Sequence, residues 1–224
     1  MKYDWLLFDA DETLFDYGKA ETNALRSTLE QAGLPFQAGY FGLYARFNRQ
    51  VWQEFERGEI TQLELRTRRF RLFFEQAGLR ADPQAISAQY LLNLGLQTDL
   101  LPGADQVVHV LKARYHLALV TNGLADVQLP RLEHSSLAGC FEQVFISEQL
   151  GAAKPSAAFF ELVFEAIGRP PREQVLIIGD SLTADMQGGL DYGIATCWYN
   201  PGGKSTELKL THQVTELDEL LLLV

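Results

Sequence analysis

Asp9 and Asp11 stand two residues apart where the apolar run Trp5-Leu6-Leu7-Phe8 gives way to Asp9-Ala10-Asp11-Glu12-Thr13. If the extended conformation persists, both carboxylates point to the same side. Two carboxylates held close repel, so either one keeps a proton or a cation sits between them. A carboxylate can attack a phosphoryl group and form an aspartyl-phosphate. A second carboxyl, when protonated, can donate to a leaving oxygen and later deprotonate water. Read alone, Asp9, Asp11 and Thr13 are explained equally well as a polar turn that redirects the chain after a strand.

More groups of the same kind follow. Thr121-Asn122-Gly123 closes the apolar run from His116 to Val120, and Lys154-Pro155 follows Gly151-Ala152-Ala153. Gly179-Asp180-Ser181 closes the run Val175-Leu176-Ile177-Ile178, and Asp185 lies a little beyond. A hydroxyl, an amide and an ammonium can hold phosphate oxygens and offset the charge of the transition state. A divalent cation that prefers oxygen can bridge carboxylates and a phosphate oxygen, and Mg²⁺ fits best. Without a cation or Lys154, two acids ~4 Å apart repel by about 4 kcal/mol at an effective dielectric near 20. Each piece has an ordinary reading: a turn, a solvated lysine, a helix N-cap, a surface charge. Their order and their shared place at strand ends join them.

The elements that position these groups can be read from periodicity. A short run with a bulky apolar side chain at every position reads as a strand buried on both faces. From Thr13 to about residue 97 the pattern is helical. Glu21–Gln31 is closed by Gly33, and 37–57 is ended by Gly58. A capping box at Thr61–Glu64 opens a third helix that stops at Gly78, and Asp82-Pro83 opens a fourth that ends near Gln97. Helices joined by short loops with no strand among them read as a bundle. After Pro102-Gly103, helices alternate with strands at 116–120, 144–146, 175–178 and 194–198, with a shorter strand near 213–214. Pro130 is expected to kink or break the helix it falls in, 183–192 reads as helical, and Asn200–Lys204 reads as a mobile surface loop. The fold class is α/β, a Rossmann-like parallel sheet with helices on both faces. The core spans 1–15 and 98–224, and a four-helix insert spans 16–97. The carboxyl ends of parallel strands lie on one edge, so the polar groups could converge there.

Composition limits the remaining possibilities. The 224 residues suffice for one large domain, or a core plus a smaller one, and a 47% hydrophobic share supports a sizeable core. A formal net charge of −10 argues against a nucleic-acid polymer as partner, though not against a small phosphate ester. Cys140 and Cys197 have no neighbours at metal or redox spacing and read as buried thiols. No secretory leader is apparent, and no stretch reaches the roughly eighteen apolar residues of a membrane span. A cytoplasmic, membrane-free monomer or homodimer is expected.

Taken together, the four motifs resemble the haloacid dehalogenase (HAD) superfamily: Asp9-x-Asp11-x-Thr13, Thr121-Asn122-Gly123, Lys154-Pro155 and Gly179-Asp180-x-x-x-x-Asp185. The resemblance implies that Asp9 is the nucleophile and Asp11 the general acid and base. It implies Mg²⁺ held by Asp9, the backbone carbonyl of Asp11, and Asp180, with Asp185 supporting them directly or through water. Thr121, the amide of Asn122 and Lys154 would bind the phosphoryl group, with Thr13 beside them. The insert is similar to the C1-type cap that closes over substrate in this superfamily. The superfamily's dehalogenases lack an acid at the place of Asp11, so this chain resembles the phosphotransfer branch. A phosphonatase would need a cap lysine, and Lys19 lies only at the insert's edge.

The insert bears on substrate. Asn48-x-x-x-Trp52, Gly58-Glu59-Ile60-Thr61, Leu65 and Arg69-Phe70 resemble the YjjG-like pyrimidine 5′-nucleotidases. So do Phe8–Phe15 and Ala195-Thr196-Cys197-Trp198. A nucleobase wants an apolar or aromatic wall and polar groups for its edge. Trp52, Phe47 and Phe55 are candidates for the wall, and Asn48 and Arg69 for the edge; the three aromatic residues also suit a bundle interior. The resemblance implies a Mg²⁺-dependent monophosphatase of UMP, dUMP, dTMP or non-standard analogues. A sugar phosphate or phosphoglycolate as substrate, phosphoryl transfer in place of hydrolysis, or a non-enzymatic phospho-acceptor module remain open alternatives.

Overall fold

A computed structural model describes residues 2–224. The chain forms two compact units, one of residues 1–17 with 98–224 and one of residues 18–97. In chain order the elements are β1 (Trp5–Phe8), α1 (Tyr17–Gln31), α2 (Tyr40–Glu56), α3 (Gln62–Ala77), α4 (Pro83–Gly95), α5 (Ala104–Lys112), β2 (His116–Thr121), α6 (Ala125–His134), β3 (Gln143–Ile146), α7 (Ser147–Leu150) and α8 (Ala157–Ala166). There follow β4 (Val175–Gly179), a π-helical turn at Leu182–Gln187, α9 (Gly188–Tyr192), β5 (Ala195–Tyr199), β6 (His212–Val214) and α10 (Leu220–Leu223).

The sheet of the first unit is six-stranded, ordered β3-β2-β1-β4-β5-β6, with every pairing parallel. The α/β class expected from the sequence is therefore the class found. Each strand's pleat sends alternate residues to opposite faces. Leu6 and Phe8 of β1 join Leu176 and Ile178 of β4 in one core, sealed by Val107, Val108 and Leu111 of α5. Leu7 and Ile177 point the other way, to Phe159, Phe160 and Val163 of α8. This two-sided burial is why β1 carries no polar residue until Asp9. α9 sits close to the sheet because Gly189 has no side chain; a Cβ there would press on the methyls of Ile177 and Thr196 at 2.8 and 2.9 Å.

β1 is central. The chain leaves it to build β2 and β3 on one side, then returns to build β4, β5 and β6 on the other. The carboxyl ends of β1 and β4 thus flank the point where strand order reverses, the usual ligand crevice of such sheets.

In the second unit, Thr61 and Glu64 form the reciprocal capping box, and the Asp82 side chain accepts from the amides of Gln84 and Ala85. Tyr44, Phe70 and Tyr90 meet in an aromatic cluster, with ring centroids 5.2 to 5.4 Å apart. Among the described residues, no helix is long and apolar enough to cross a membrane.

One local expectation differs from the structure: the helix is not broken at Pro130. α6 continues through Pro130, which falls in its second turn, and neither ends nor restarts there. The helical reading of 183–192 holds: residues 182–187 wind as a π-helical turn, with the amide of Met186 donating to the Ser181 carbonyl five residues back, and α9 follows. Such turns occur disproportionately at functional sites.

Candidate active site

Asp9 directly follows β1, and its amide donates to the Ile178 carbonyl at 2.9 Å, which keeps it in line with β4. Asp180 follows β4. Asp185 comes back toward the strand end on the π-helical turn, whose start is capped by Ser181 Oγ accepting from the Ala184 amide. Carboxylate oxygens of Asp9, Asp180 and Asp185 all lie within 4.8 Å of one another. Asp9 and Asp185 are buried and Asp180 is half-buried.

Gly179 makes this convergence possible. A Cβ at position 179 would overlap the carboxylate and Cβ of Asp185. The freed space lets Asp185 Oδ2 accept from the Ser181 amide at 3.1 Å.

Lys154 supplies the opposing charge. Its Nζ donates to Asp9 Oδ1 at 2.6 Å, Asp185 Oδ1 at 2.7 Å and the Val120 carbonyl at 2.8 Å. It is 2% exposed, which rules out the ordinary reading of a solvated loop lysine. The Asn122 side chain fixes the lysine's backbone. Asn122 Nδ2 donates to the Lys154 carbonyl at 2.8 Å, and the Lys154 amide donates to Asn122 Oδ1 at 2.9 Å. Thr121 is buried, and its Oγ1 accepts from the Gly123 amide at 3.0 Å. Thr13 Oγ1 donates to Asp9 Oδ2 at 3.3 Å.

Asp11 breaks the symmetry expected from its spacing to Asp9. Strand geometry ends at Phe8, Glu12 adopts a left-handed φ of 60°, and the chain turns back so that Asp11 bridges Phe15. The two carboxylates therefore find different cations. Asp11 Oδ1 accepts from Arg131 Nη1 at 2.5 Å, and Oδ2 accepts from Gln128 Nε2 at 2.6 Å. Both donors belong to α6 and neither stood out in the sequence. Trp198, singled out in the sequence only as part of a resembling stretch, donates its indole N–H to the Asp180 carbonyl at 2.8 Å.

The electrostatics follow from three acids sharing one lysine. Burial pushes the Asp9 carboxyl well above its usual range; Lys154 opposes this, and Asp185 and Asp180 add to it. Asp180 is pushed up to about 7 by burial, with Asp185 adding and Lys154 opposing. Burial also works against the charge on Lys154, but Asp185 and Asp9 outweigh it and hold the ammonium above its ordinary range. One ammonium cannot offset three carboxylates, so the cluster is short of positive charge. Its donors are all oxygens, the set that a hard divalent cation prefers.

The five insert candidates lie in the second unit. Asn48 is 4% exposed and Arg69 1%. Asn48 Nδ2 donates to Glu21 Oε1 at 2.5 Å, and Arg69 Nη1 donates to Asn48 Oδ1 at 2.9 Å. Trp52 is half-buried, edge-on to Phe55 at 6.0 Å between centroids.

Comparison with known proteins identifies the family. A family model described as haloacid dehalogenase-like hydrolase matches residues 3–193. The chain is 39% identical over 224 residues to pyrimidine 5′-nucleotidase PynA of Streptococcus pneumoniae, covering 99% of this chain and 94% of that one. It is 34% identical over 200 residues to pyrimidine 5′-nucleotidase YjjG of Escherichia coli, covering 89% and 87%. Among solved structures, the magnesium-bound HAD-hydrolase YfnB of Bacillus subtilis matches with a TM-score of 0.93 at 36% identity, covering 100% of this chain and 99% of that one.

Proposed function

The chain belongs to the haloacid dehalogenase-like hydrolase family and is a phosphoric monoester hydrolase, and we propose that it removes the 5′-phosphate of pyrimidine nucleoside monophosphates by way of an aspartyl-phosphate on Asp9. The observation that carries the chemistry is the cluster of Asp9, Asp180 and Asp185 within 4.8 Å, bridged by buried Lys154. The substrate class rests on the two nucleotidases at 39% and 34% identity.

Asp9, the backbone carbonyl of Asp11, and Asp180 would hold Mg²⁺, with Asp185 behind them. When bound, the ion offsets the excess of acids and stabilises negative charge on the phosphoryl oxygens. An Asp9 oxygen attacks phosphorus, the P–O bond to the nucleoside breaks, and Asp11 gives its proton to the departing 5′-oxygen. Water then attacks the phosphorus of the aspartyl-phosphate, Asp11 takes its proton, and Asp9 is released with inorganic phosphate. Lys154 and Thr121 hold phosphoryl oxygens throughout, with Thr13 and the Asn122 amide beside them. Asn48, Trp52 and Arg69 of the helical unit are assigned to recognition of the base. The enzyme is placed in the cytoplasm, acting on a small nucleotide and not on a polymer.

The test is phosphate release from pyrimidine and purine 5′-monophosphates, 3′-nucleotides, sugar phosphates and phosphoglycolate, with Mg²⁺ or chelator, using the wild type and Asp9→Asn. Chelator-sensitive release that favours UMP, dUMP or dTMP and disappears in Asp9→Asn is the expected result. Preference for a sugar phosphate would keep the chemistry and remove the nucleotide assignment. Formation of a long-lived phospho-protein without turnover would favour a phospho-acceptor.

A further inference from the structure

We propose that Gln128 and Arg131 are positioning residues for Asp11, a clamp on α6 that sets how this carboxyl meets the leaving oxygen. The inference rests on the proposed role of Asp11 as proton donor to that oxygen.

The geometry has three parts. First, the clamp takes both carboxylate oxygens: Arg131 Nη1 on Oδ1 and Gln128 Nε2 on Oδ2, at 2.5 and 2.6 Å. The two donors are three residues apart, neighbours on one face of α6. Fixing both oxygens fixes the plane of the carboxyl as well as its position, which a single ion pair does not.

Second, the clamp is expensive as pure scaffolding. The Arg131 side chain is 0% exposed while that of Asp11 is 27% exposed. The guanidinium lies 4.5 Å over the Phe15 ring, which holds it from the other side. Burying a guanidinium to meet a carboxylate that stays partly in solvent is a poor way to gain stability, because the desolvation falls mostly on the arginine. It does give a rigid donor aimed at a carboxyl on the rim of the site.

Third, the clamp depends on the phosphate-binding loop. Gly123 ends the Thr121-Asn122-Gly123 motif, and a Cβ there would collide with the amide end of Gln128. The glycine therefore leaves room for Gln128 to reach Asp11. The loop that meets the phosphoryl group and the helix that holds the acid are thus built as one piece. Gly123 has no left-handed φ, so space and not backbone strain is what its lack of a side chain provides.

Proton delivery matters most when the leaving group is a poor one. An alkyl phosphate such as UMP expels a strongly basic alkoxide, whereas p-nitrophenyl phosphate expels a phenolate that leaves without help. The readout is the ratio of kcat/KM for UMP to kcat/KM for p-nitrophenyl phosphate. Because kcat/KM reports only the steps through formation of the aspartyl-phosphate, slow hydrolysis of that ester does not mask the effect.

Asp11→Asn should lower this ratio by about 100-fold, the lower end of what a positioned acid contributes. Arg131→Met, Gln128→Met and Gly123→Ala should each lower it in the same direction, by roughly tenfold or more for Arg131→Met and about fivefold for the other two, as partial losses of that contribution. Arg131→Lys keeps the charge but not the fork, and should recover part of the ratio. Parallel loss on both substrates would mark a structural ion pair and overturn the inference, as would a ratio that is unchanged or higher. If Arg131→Met does not fold, Gln128→Met and Gly123→Ala decide the matter alone. A wild type that hydrolyses p-nitrophenyl phosphate and another alkyl phosphate but not UMP removes only the nucleotide assignment, and the ratio is then read with that alkyl phosphate. A wild type that hydrolyses neither class removes both readings.

Discussion

Gly179 and Asp185 are packed so closely that a methyl group at position 179 would occupy the space of the Asp185 carboxylate. The carboxylate cannot swing clear without leaving Lys154 Nζ and the Ser181 amide, both of which it accepts from. Gly179→Ala should therefore cost about 1–3 kcal/mol as overpacking of a filled site. It should also weaken Mg²⁺ binding and lower kcat/KM by roughly 100-fold or more, as loss of preorganised charge does. Calorimetry with Mg²⁺ and steady-state kinetics check both. Wild-type metal affinity in a folded Gly179→Ala protein would show that Asp185 is free to move.

The shift on Asp180 fixes the sign of a pH effect. In the folded, metal-free protein its carboxyl titrates at about 7, against about 3.9 in an unfolded chain. Between those values the folded state binds more protons than the unfolded one, so stability falls as pH rises. The stabilisation is complete below the unfolded value and is lost as pH passes through about 7. Asp9, raised by burial, acts in the same direction. The melting temperature in chelator should drop between about pH 5.5 and pH 8, and Asp180→Asn should flatten that slope. Mg²⁺ should raise the melting temperature more at pH 8, where it no longer has to displace a proton. A melting temperature in chelator that climbs over this interval would contradict the assignment.

Asn122 ties the Lys154 backbone at both its N–H and its C=O. Asn122→Ala leaves a buried donor and acceptor without these partners, a loss of about 1–3 kcal/mol. Lys154 then loses the register that places Nζ on Asp9 and Asp185. Turnover should fall about tenfold or more, since misaligned electrostatic groups lose most of their effect. Asn122→Asp keeps the acceptor for the Lys154 amide and removes the donor to its carbonyl, so it should fall between wild type and alanine in melting temperature. Wild-type kinetics in Asn122→Ala would show that Lys154 is held by its ion pairs alone.

The sequence carried the sheet because β1 and β4 are buried on both faces, which forces an unbroken apolar run to stop abruptly at Asp9 and at Asp180. It carried Lys154 because the four motifs come in order. It did not carry the separation of Asp9 from Asp11, since a two-residue spacing gives a common side only while the strand continues, and a left-handed Glu12 is not written in composition. Gln128 and Arg131 were hidden because a polar pair three apart on a helix looks like a solvated face. Only the sharp apolar neighbours of α6 hint otherwise: Val127 and Leu132 leave Gln128 and Arg131 on the buried side. The interior of α6 shows the same limit. Pro130 reads as a breaker locally, yet in the second turn the missing N–H removes a single hydrogen bond, which packing of Val127 and Leu132 can offset.

The helical unit offers a way to separate recognition from architecture. Arg69 is 1% exposed, stacked 5.1 Å from the Tyr90 ring centre and bonded to Asn48, which in turn holds Glu21. Arg69→Met breaks into a buried charged network and should cost about 3–5 kcal/mol. Trp52 is only half-buried and meets Phe55 edge-on. Trp52→Ala should cost less stability than Arg69→Met, yet lower the ratio of kcat/KM for UMP to that for ribose 5-phosphate by about tenfold, the worth of one lost aromatic contact. The same ratio in Arg69→Met, measured well below its melting temperature, tells whether the guanidinium meets the base or only braces the bundle. A Trp52→Ala protein as unstable as Arg69→Met, with the nucleotide preference intact, would place Trp52 in the bundle's core and move base recognition elsewhere.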